Sequence, residues 1–478
     1  MKDAVRPRYY FCIDMKTFYA SVECAERGLN PFETDLAVAD VGRGKNGLCL
    51  AITPKMKSRG IQNRCRLSDI PKDVQPIVVP PRMQLYIDYT ADIYGMYLDY
   101  FSPDDIYVYS IDESFIDVTD YLKIYRKTPR ELAADLLSEI GWRFRIPATA
   151  GIGTNLYLAK IALDIVAKHA ADHIGYLDEQ TYRDTLWTHR PITDFWHVAA
   201  GTARRLARLG VYDMRGVTFV PEELMYKVFG KDAELLIDHA WGRESCLIED
   251  IKNYKSKSKS VSFSQILPRN YTAAEARTVL REMVYNGCEE MLRRKVITHK
   301  VGVLVGYANV GDREGGFDGG TVSMTATTNL PTVILPYAVR LYDSVTDTRL
   351  PVRRLGLCFE DVCDAGCENY DFFTNFDAVD REKLREEAIL DIRSRYGKNA
   401  VMRGLDYFAE STQVERNTFI GGHRAGYGDL PADRQRGTDR DGRPLRGTGD
   451  VPSDDVPSGT GEAVHGVRRD EGPFGGSA

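Results

Sequence analysis

Short apolar runs and amphipathic helical segments alternate along the first 170 residues of the chain. The pattern predicts strands at 9–13, 47–53, 106–111 and 148–154, and helices at 18–27, 54–60, 83–101, 129–144 and 155–170. Strands and helices in this order indicate a split βαβ unit, the ferredoxin-like arrangement, with a small insert after the first strand.

The remaining pattern divides into shorter segments. A second unit is predicted to begin near Pro191 with a tight hairpin that opens a basic helix, and to end by about Asp250. The polar segment 255–260 suits a tether. Beyond it, a helix at 272–295 with strand-like runs at 301–308 and 353–362 indicates another α+β unit, and a last helix is predicted at 381–397. We therefore expect an α+β protein with several domains.

Composition narrows the class of protein. The chain has 478 residues, too many for one compact core, and its nine cysteines form an odd set. With no apolar signal region and no long uncharged apolar run, we expect reduced thiols, a cytoplasmic location and no membrane segment. Cys363 and Cys367 lack a second Cys or His pair at ligand spacing, so zinc is not expected.

Charge is distributed unevenly. The formal net charge is −6, yet residues 252–300 hold eleven Lys and Arg against four Glu, a local charge of +7. Such a stretch is typical of a surface that binds a nucleic-acid backbone, although a solvated helix surface would explain it equally well.

Acidic residues stand inside two otherwise apolar strands. Asp112 and Glu113 interrupt VYSIDESFIDV (108–118), and Asp14 ends the first strand. In a split βαβ sheet these positions can lie side by side, and three carboxylates with no basic residue among them would require a cation. Oxygen ligands of this kind suit Mg²⁺. Taken singly, each acid would be an ordinary cap or turn residue.

Three segments together resemble a known family. FCIDMKTFYASVE (11–23), VYSIDESFIDVT (108–119) and GIGTNLYLAKIALDIVAKH (151–169) resemble the Y-family translesion DNA polymerases. RYGKNAV (395–401) and ERNTFIGGHRAG (415–426) are similar to the UmuC-like branch of Gram-positive bacteria. The resemblance covers roughly residues 8–426.

The resemblance implies a division into domains. It implies a ferredoxin-like palm at 1–17 and 84–190, fingers at 18–83, a helix–hairpin–helix thumb at 191–254, a tether at 255–260, a little finger at 261–365, a C-terminal extension at 366–426 and a disordered tail at 427–478. The composition of the tail, rich in Gly, Asp, Arg and Pro, agrees with disorder.

The resemblance also implies catalytic roles. Asp14 and Asp112 would bridge two Mg²⁺ ions, and Glu113 would bind the catalytic ion beside the primer 3′-OH. The backbone carbonyl of Met15 would help to hold the nucleotide-bound ion.

Four residues are implied to bind the incoming dNTP. Tyr19, next to Phe18, stands at the position of the steric gate, whose ring leaves no room for a 2′-OH. Lys57 and Lys168 would meet the triphosphate. Without the resemblance, Tyr19 is more simply a core aromatic, and Lys160, Asp164 and Lys168 a stripe of i, i+4 ion pairs.

Contacts with primer–template DNA are implied for the thumb and the little finger, at Gly201, Arg204, Arg205, Lys255, Lys257, Lys259, Arg293 and Arg294. The thumb departs from the family pattern, because Ala199 replaces the first glycine of the hairpin. If that position needs a positive φ, alanine costs about 1–2 kcal/mol.

Protein partners are implied as well. Tyr370, Phe372 and Phe373 lie where UmuC-like relatives carry a sliding-clamp peptide, although a small aromatic cluster packed on the domain is an equal alternative. A recombinase or SOS accessory subunit is a further possible partner, and the location would be the nucleoid.

The function expected is low-fidelity, template-directed translesion synthesis in SOS-type mutagenesis. Two other classes remain open on the residues alone: a nucleotidyl cyclase, which shares the palm topology, and an inactive accessory protein that binds primer ends or the clamp.

Overall fold

The computed structural model describes residues 7–40, 47–255, 259–309, 315–370 and 374–424. Within these ranges the chain forms two units, one from 7 to 254 with 420–424, and one from 255 to 419. The division falls at the start of the predicted tether. Lys257, Phe372, Phe373 and the tail 427–478 lie outside the described residues.

The first unit alternates strands and helices. Its strands are β1 (Tyr10–Met15), β2 (Leu36–Ala39), β3 (Cys49–Ile52), β4 (Ile77–Val79), β5 (Ile106–Val108), β6 (Glu113–Asp117), β7 (Ala148–Gly153) and β8 (Ile174–Leu177). Its helices are α1 (Phe18–Glu26), α2 (Pro54–Ser58), α3 (Met83–Leu98), α4 (Tyr121–Tyr125), α5 (Pro129–Phe144), α6 (Leu156–Ile161), α7 (Glu179–Leu186), α8 (Ala200–Arg208), α9 (Met214–Val217), α10 (Glu222–Phe229), α11 (Asp232–Trp241) and α12 (Ile248–Asn253).

A five-stranded sheet of order β5-β6-β1-β7-β8 forms the centre of this unit. β5, β6, β1 and β7 pair antiparallel, and β8 joins β7 in parallel. The first four strands have the order of a ferredoxin-like sheet, as the alternation of elements predicts. A smaller sheet, β3-β2-β4, belongs to the insert.

Alternation along β1 explains why the strand is buried on both faces. Phe11 and Ile13 belong to the core that includes α3 and α5, whereas Cys12 packs with Phe115 and with Leu156 of α6. Since side chains point to opposite faces in turn, the polar groups at the end of β1 emerge at the edge of a fully packed sheet.

Glycines in β7 bring α6 unusually close to the sheet. A Cβ on Gly151 would lie 2.1 Å from the carbonyl oxygen of Ala159, and a Cβ on Gly153 would lie 2.1 Å from the Ala159 nitrogen. The helix backbone therefore rests directly on the strand. The helix predicted at 155–170 is observed from Leu156 to Ala167, where α6 continues without a break into a π-helical segment at Ala162–Ala167.

The second unit contains β9 (Ser260–Tyr271), α13 (Ala273–Arg293), β10 (Val296–Tyr307), β11 (Phe317–Thr328), α14 (Pro331–Val345), β12 (Val352–Glu360), β13 (Cys363–Asp364), α15 (Phe376–Tyr396) and α16 (Gln413–Arg416). Two short strands, β14 (Phe419–Ile420) and β15 (His423–Arg424), follow. The main sheet has the order β11-β10-β12-β9, with α13 and α14 packed on its core. The sequence pattern missed β9, β11 and α14.

The expected strain at Ala199 is absent. Ala199 is the N-cap of α8 with φ −80° and ψ 170°, an extended conformation that any residue adopts. The positive φ of this hairpin lies instead at His197, at 67°. The condition under which alanine would be costly, a positive φ at position 199, is therefore not met.

The cysteines are in the reduced state that the composition led us to expect. All nine cysteines are free thiols. Along the part of the chain that the structure describes, no helix has the length and apolarity to span a membrane.

Candidate active site

The end of β1 meets the start of β6. Asp14 is paired with Glu113 across the antiparallel ladder, and the Met15 N–H donates to the Asp112 carbonyl at 2.9 Å. The predicted adjacency of these two strands is confirmed. Three acidic residues thus share one edge of the sheet.

Glu113 nevertheless has a basic partner, which corrects the expectation that no basic residue lies among the acids. Lys160 Nζ of α6 lies 2.8 Å from Glu113 Oε1 and donates to Oε2 at 2.9 Å. The Cys12 thiol donates to Glu113 Oε1 at 3.0 Å. Burial raises the pKa of Glu113, and Lys160 opposes the shift. The buried Glu113 carboxylate is therefore matched by one positive charge, that of Lys160.

The electrostatic environment of Asp14 differs from that of Glu113. Burial, with the charges of Asp112 and Glu113 added, raises the pKa of Asp14 to about 8, although Lys160 and Lys168 act in the opposite direction. Asp112 is half-buried and accepts a hydrogen bond from Ser110 Oγ at 2.6 Å. The carboxylate charge at Asp14 is thus only partly neutralised by the protein.

The three acids do not form a closed ligand set. Among the described residues, no group of three or more His, Cys, Asp or Glu side chains is arranged to hold a metal ion. Both oxygens of Glu113 are bonded to Lys160 or Cys12. Asp14 and Asp112 remain as the two acids without a basic partner at hydrogen-bond distance in the described contacts.

Lys160 is the site residue that the sequence reasoning missed. It lies 3.0 Å from Asp164, and Lys168 lies 3.3 Å from the same carboxylate, so the i, i+4 stripe exists. Lys160 is buried, however, while Lys168 is exposed. The signal in the sequence was a single lysine within the apolar run LYLAKIAL (156–163), where a buried partner acid must be supplied by another element.

Replacing Lys160 tests this ion pair. We expect Lys160→Met to lower the free energy of unfolding by about 3 kcal/mol, because it leaves Glu113 buried without a counter-charge. Lys168→Met, at the exposed end of the same stripe, is the matched control and should change stability by less than about 1 kcal/mol. Urea unfolding of both variants measures the two changes in the free energy of unfolding. Equal changes would show that the buried Lys160–Glu113 ion pair stabilises the fold no more than the exposed Lys168–Asp164 pair does.

The two aromatic residues that begin α1 differ in environment. Phe18 is buried in the core, whereas Tyr19 is half-buried and its ring stacks on Tyr86 at 4.5 Å between centroids and 18° between planes. Burial, with a contribution from the Asp112 charge, raises the pKa of Tyr19 to about 12. Tyr19 therefore lies near the acidic edge, and its side chain is only partly packed into the core.

Two predicted phosphate-binding lysines approach the same edge. Lys57, on α2, is exposed and interacts electrostatically with Asp14, Asp112 and Lys168. The proline that begins α2, Pro54, is at the first helical position, as predicted. The structure thus places Lys57 and Lys168 on the solvent side of the acids.

The residues predicted to bind DNA in the hairpin region differ in their exposure and in their side-chain contacts. Gly201 and Arg204 are exposed. Arg205 instead donates to the Val228 carbonyl at 3.3 Å and lies 4.6 Å from the centre of the Phe229 ring. Arg205 is therefore engaged in holding α8 against α10.

The basic stretch of the second unit is also partly neutralised. Lys255 and Lys259 are exposed. Arg293 forms ion pairs with Glu289 and Glu290, and Arg294 lies 2.8 Å from Glu290. The local charge of +7 already counts Glu289 and Glu290, so what the ion pairs change is the availability of Arg293 and Arg294, which are both engaged within the helix.

Tyr370 packs on the sheet of the second unit. Its hydroxyl lies 3.2 Å from Thr328 Oγ1, and its ring is 6.0 Å from that of Phe376. This matches the alternative of an aromatic cluster for Tyr370 itself.

Comparison with known proteins defines the class. A solved Y-family DNA polymerase chimera has the same fold, with a TM-score of 0.57 and 21% identity over 74% of this chain and 99% of that one. The sequence model of the impB/mucB/samB family matches residues 13–164, and that of its C-terminal domain matches 258–372.

Two curated relatives come from Bacillus subtilis (strain 168). The putative UV-damage repair protein UvrX is 31% identical over 87% of this chain and 97% of its own length. DNA polymerase IV 2 is 29% identical over 88% and 99%. The chain belongs to the impB/mucB/samB family and is a UmuC-like Y-family DNA polymerase, the class of enzyme that carries out translesion DNA synthesis.

Proposed function

We propose that this polymerase extends a primer by nucleotidyl transfer at the edge formed by Asp14 and Asp112. The observation that carries the proposal is the pairing of Asp14 with Glu113 and the bond from the Met15 N–H to the Asp112 carbonyl, which bring three acids to one edge of the sheet. Burial and the neighbouring charges of Asp112 and Glu113 accordingly raise the pKa of Asp14 to about 8. A carboxylate in this state is costly to the fold and is retained where it binds something positive.

The donor set fits a hard divalent ion. Members of the Y family depend on divalent metals in general. Asp14 and Asp112 would hold the ion through carboxylate oxygens, with the Met15 carbonyl beside them. Glu113 would be the third carboxylate, in competition with its bonds to Lys160 and Cys12. We propose two Mg²⁺ ions, which lower the pKa of the attacking hydroxyl and neutralise the leaving phosphate when bound.

The chain's own residues would bind and orient the nucleotide. Lys57 and Lys168 lie on the exposed side of Asp14, where an ammonium group can contact a triphosphate. Tyr19 would lie against the sugar and exclude a 2′-OH. The Ser110 hydroxyl, which donates to Asp112, would keep one oxygen of that carboxylate oriented.

The wider architecture would follow the family. The first unit would contain the palm, fingers and thumb, and the second the little finger with its C-terminal extension, joined at 255–260. Gly201, Arg204, Lys255 and Lys259 are exposed and would contact the DNA backbone. On the basis of family membership, we also propose sliding-clamp binding near Tyr370, SOS accessory partners and association with the nucleoid.

Primer extension is the direct test. We expect the purified chain to add dNTPs to a primer on undamaged and abasic templates with Mg²⁺, and to stop with EDTA. Cyclic product from NTPs without a primer would favour the nucleotidyl cyclase alternative. Tight primer–template binding with no incorporation on either template would favour the accessory alternative and overturn the proposed chemistry.

A further inference from the structure

The ring beneath Tyr19 belongs to a buried tyrosine. Tyr86 of α3 is fully buried, and the Tyr19 ring lies nearly parallel to it at 4.5 Å. One face of Tyr19 is therefore set by Tyr86, because stacked rings hold a preferred offset and spacing.

Tyr86 is held in turn by a buried ion pair. Its hydroxyl donates to Glu23 Oε1 at 2.8 Å. Arg82 donates from Nε to Glu23 Oε1 at 2.9 Å and from Nη2 to Oε2 at 2.7 Å, and Arg27 pairs with the same carboxylate. Glu23 is fully buried and Arg82 nearly so.

The four groups form a closed arrangement between two helices. Tyr19 and Glu23 are four residues apart on α1, and Arg82 and Tyr86 are four residues apart at the start of α3, so each pair shares one helix face. A bidentate guanidinium–carboxylate pair fixes distance and orientation together. Rotating Tyr86 away would remove one of the two donors of Glu23 Oε1 and would leave the buried Tyr86 hydroxyl without this acceptor, which the interior disfavours.

We propose that Tyr86 is a positioning residue for sugar discrimination, holding the Tyr19 ring at a fixed height through the Glu23–Arg82 pair. This rests on the proposed role of Tyr19 as the group that excludes the 2′-OH. If Tyr86 is held in place, the Tyr19 ring cannot move and excludes the 2′-OH. If Tyr86 can shift, the Tyr19 ring can move with it and the 2′-OH is accommodated. The selectivity then depends on a residue that does not touch the nucleotide.

Ordinary core packing is the competing explanation, and it makes a different prediction. If Tyr86 only fills space, its loss lowers stability and slows the use of dNTPs and rNTPs by the same factor. If Tyr86 positions Tyr19, the ratio of the two kcat/KM values changes.

The experiment compares variants of the full chain by single-nucleotide incorporation. Tyr86→Leu is expected to reduce the dNTP-to-rNTP ratio of kcat/KM by about 3- to 10-fold, chiefly through better use of the rNTP. Tyr86→Phe keeps the stacked ring but loses the hydrogen bond to Glu23, so its ratio should fall between those of wild type and Tyr86→Leu. An unchanged ratio in Tyr86→Leu overturns the proposal.

A matched control lies one turn further along α3. Tyr89 donates its hydroxyl to Glu26 of α1 at 2.8 Å, the same chemistry directed at a different carboxylate. Tyr89→Leu should leave the ratio unchanged, and an equal drop there would also overturn the proposal. Tyr19→Ala in the same assay separates the two hypotheses: if it preserves discrimination, the proposed gate fails, and if it relaxes discrimination while Tyr86→Leu does not, the positioning role alone fails.

Discussion

Asp14→Asn is expected to reduce primer extension by about 10³-fold or more while making the protein more stable in EDTA. The loss follows from removing one of the two acids proposed to hold the metal. The gain follows from removing a charge that burial, Asp112 and Glu113 make unfavourable, as the Asp14 pKa of about 8 shows. Opposite effects on activity and stability would separate this residue from one that merely supports the fold.

The stability gain should depend on pH in a defined direction. The carboxyl has a pKa of about 3.9 when unfolded and about 8 when folded, so the folded state binds its proton more tightly. The destabilising effect of Asp14 is therefore absent below about pH 4, grows between these values and is complete above about pH 8. Urea midpoints in EDTA should show a larger gain for Asp14→Asn at pH 9 than at pH 5.

An exposed aspartate provides the control for that comparison. Asp104, in the turn before β5, is exposed, and Asp104→Asn should change neither activity nor the pH dependence of stability. Loss of both activity and stability in Asp14→Asn would contradict the proposed role and assign Asp14 to the fold.

Tyr19→Ala is expected to raise the use of rNTPs relative to dNTPs by about 10²-fold or more, with dNTP incorporation within roughly tenfold of wild type. The reason is steric, since the ring that lies near Asp112 would no longer occupy the space of a 2′-OH. Steady-state incorporation of matched dNTP and rNTP pairs measures the ratio.

Tyr19→Phe serves as the control, because it retains the ring without the hydroxyl. It should discriminate as wild type does. Intact discrimination in Tyr19→Ala would place the sugar filter on another residue.

The sequence predicted about half of the elements of the first unit, those whose signals are local, and missed among others the short strands β2, β4 and β8. The helix at Pro129–Phe144 was predicted with its observed bounds, since Thr128 and Glu131 form a capping box and Pro129 takes the first helical position. The ferredoxin-like order followed from the alternation of strands and helices.

The missed elements of the second unit lack such signals. β11 reads FDGGTVSMTATT, without an apolar run, and becomes a strand because it pairs along β10. β9 mixes polar residues with a proline, and α14 contains Pro336 inside the helix. In each case partners distant in sequence override the local preference.

The site shows the same limit. The meeting of Asp14 with Glu113 could be predicted from strand order, but the orientation of Glu113 could not, because Lys160 lies 47 residues further along the chain. The resemblance supplied roles for residues, whereas the ion pair and the stacked Tyr86 arise from packing between elements.

The glycines of β7 limit which sequence changes this enzyme can accept during evolution. Because α6 rests on bare backbone at Gly151 and Gly153, no intervening side chain sets its height above the sheet. A side chain at either position would push α6, and with it Lys160, away from the sheet. We expect drift among homologues to spare these two positions even where the surrounding apolar residues have been exchanged.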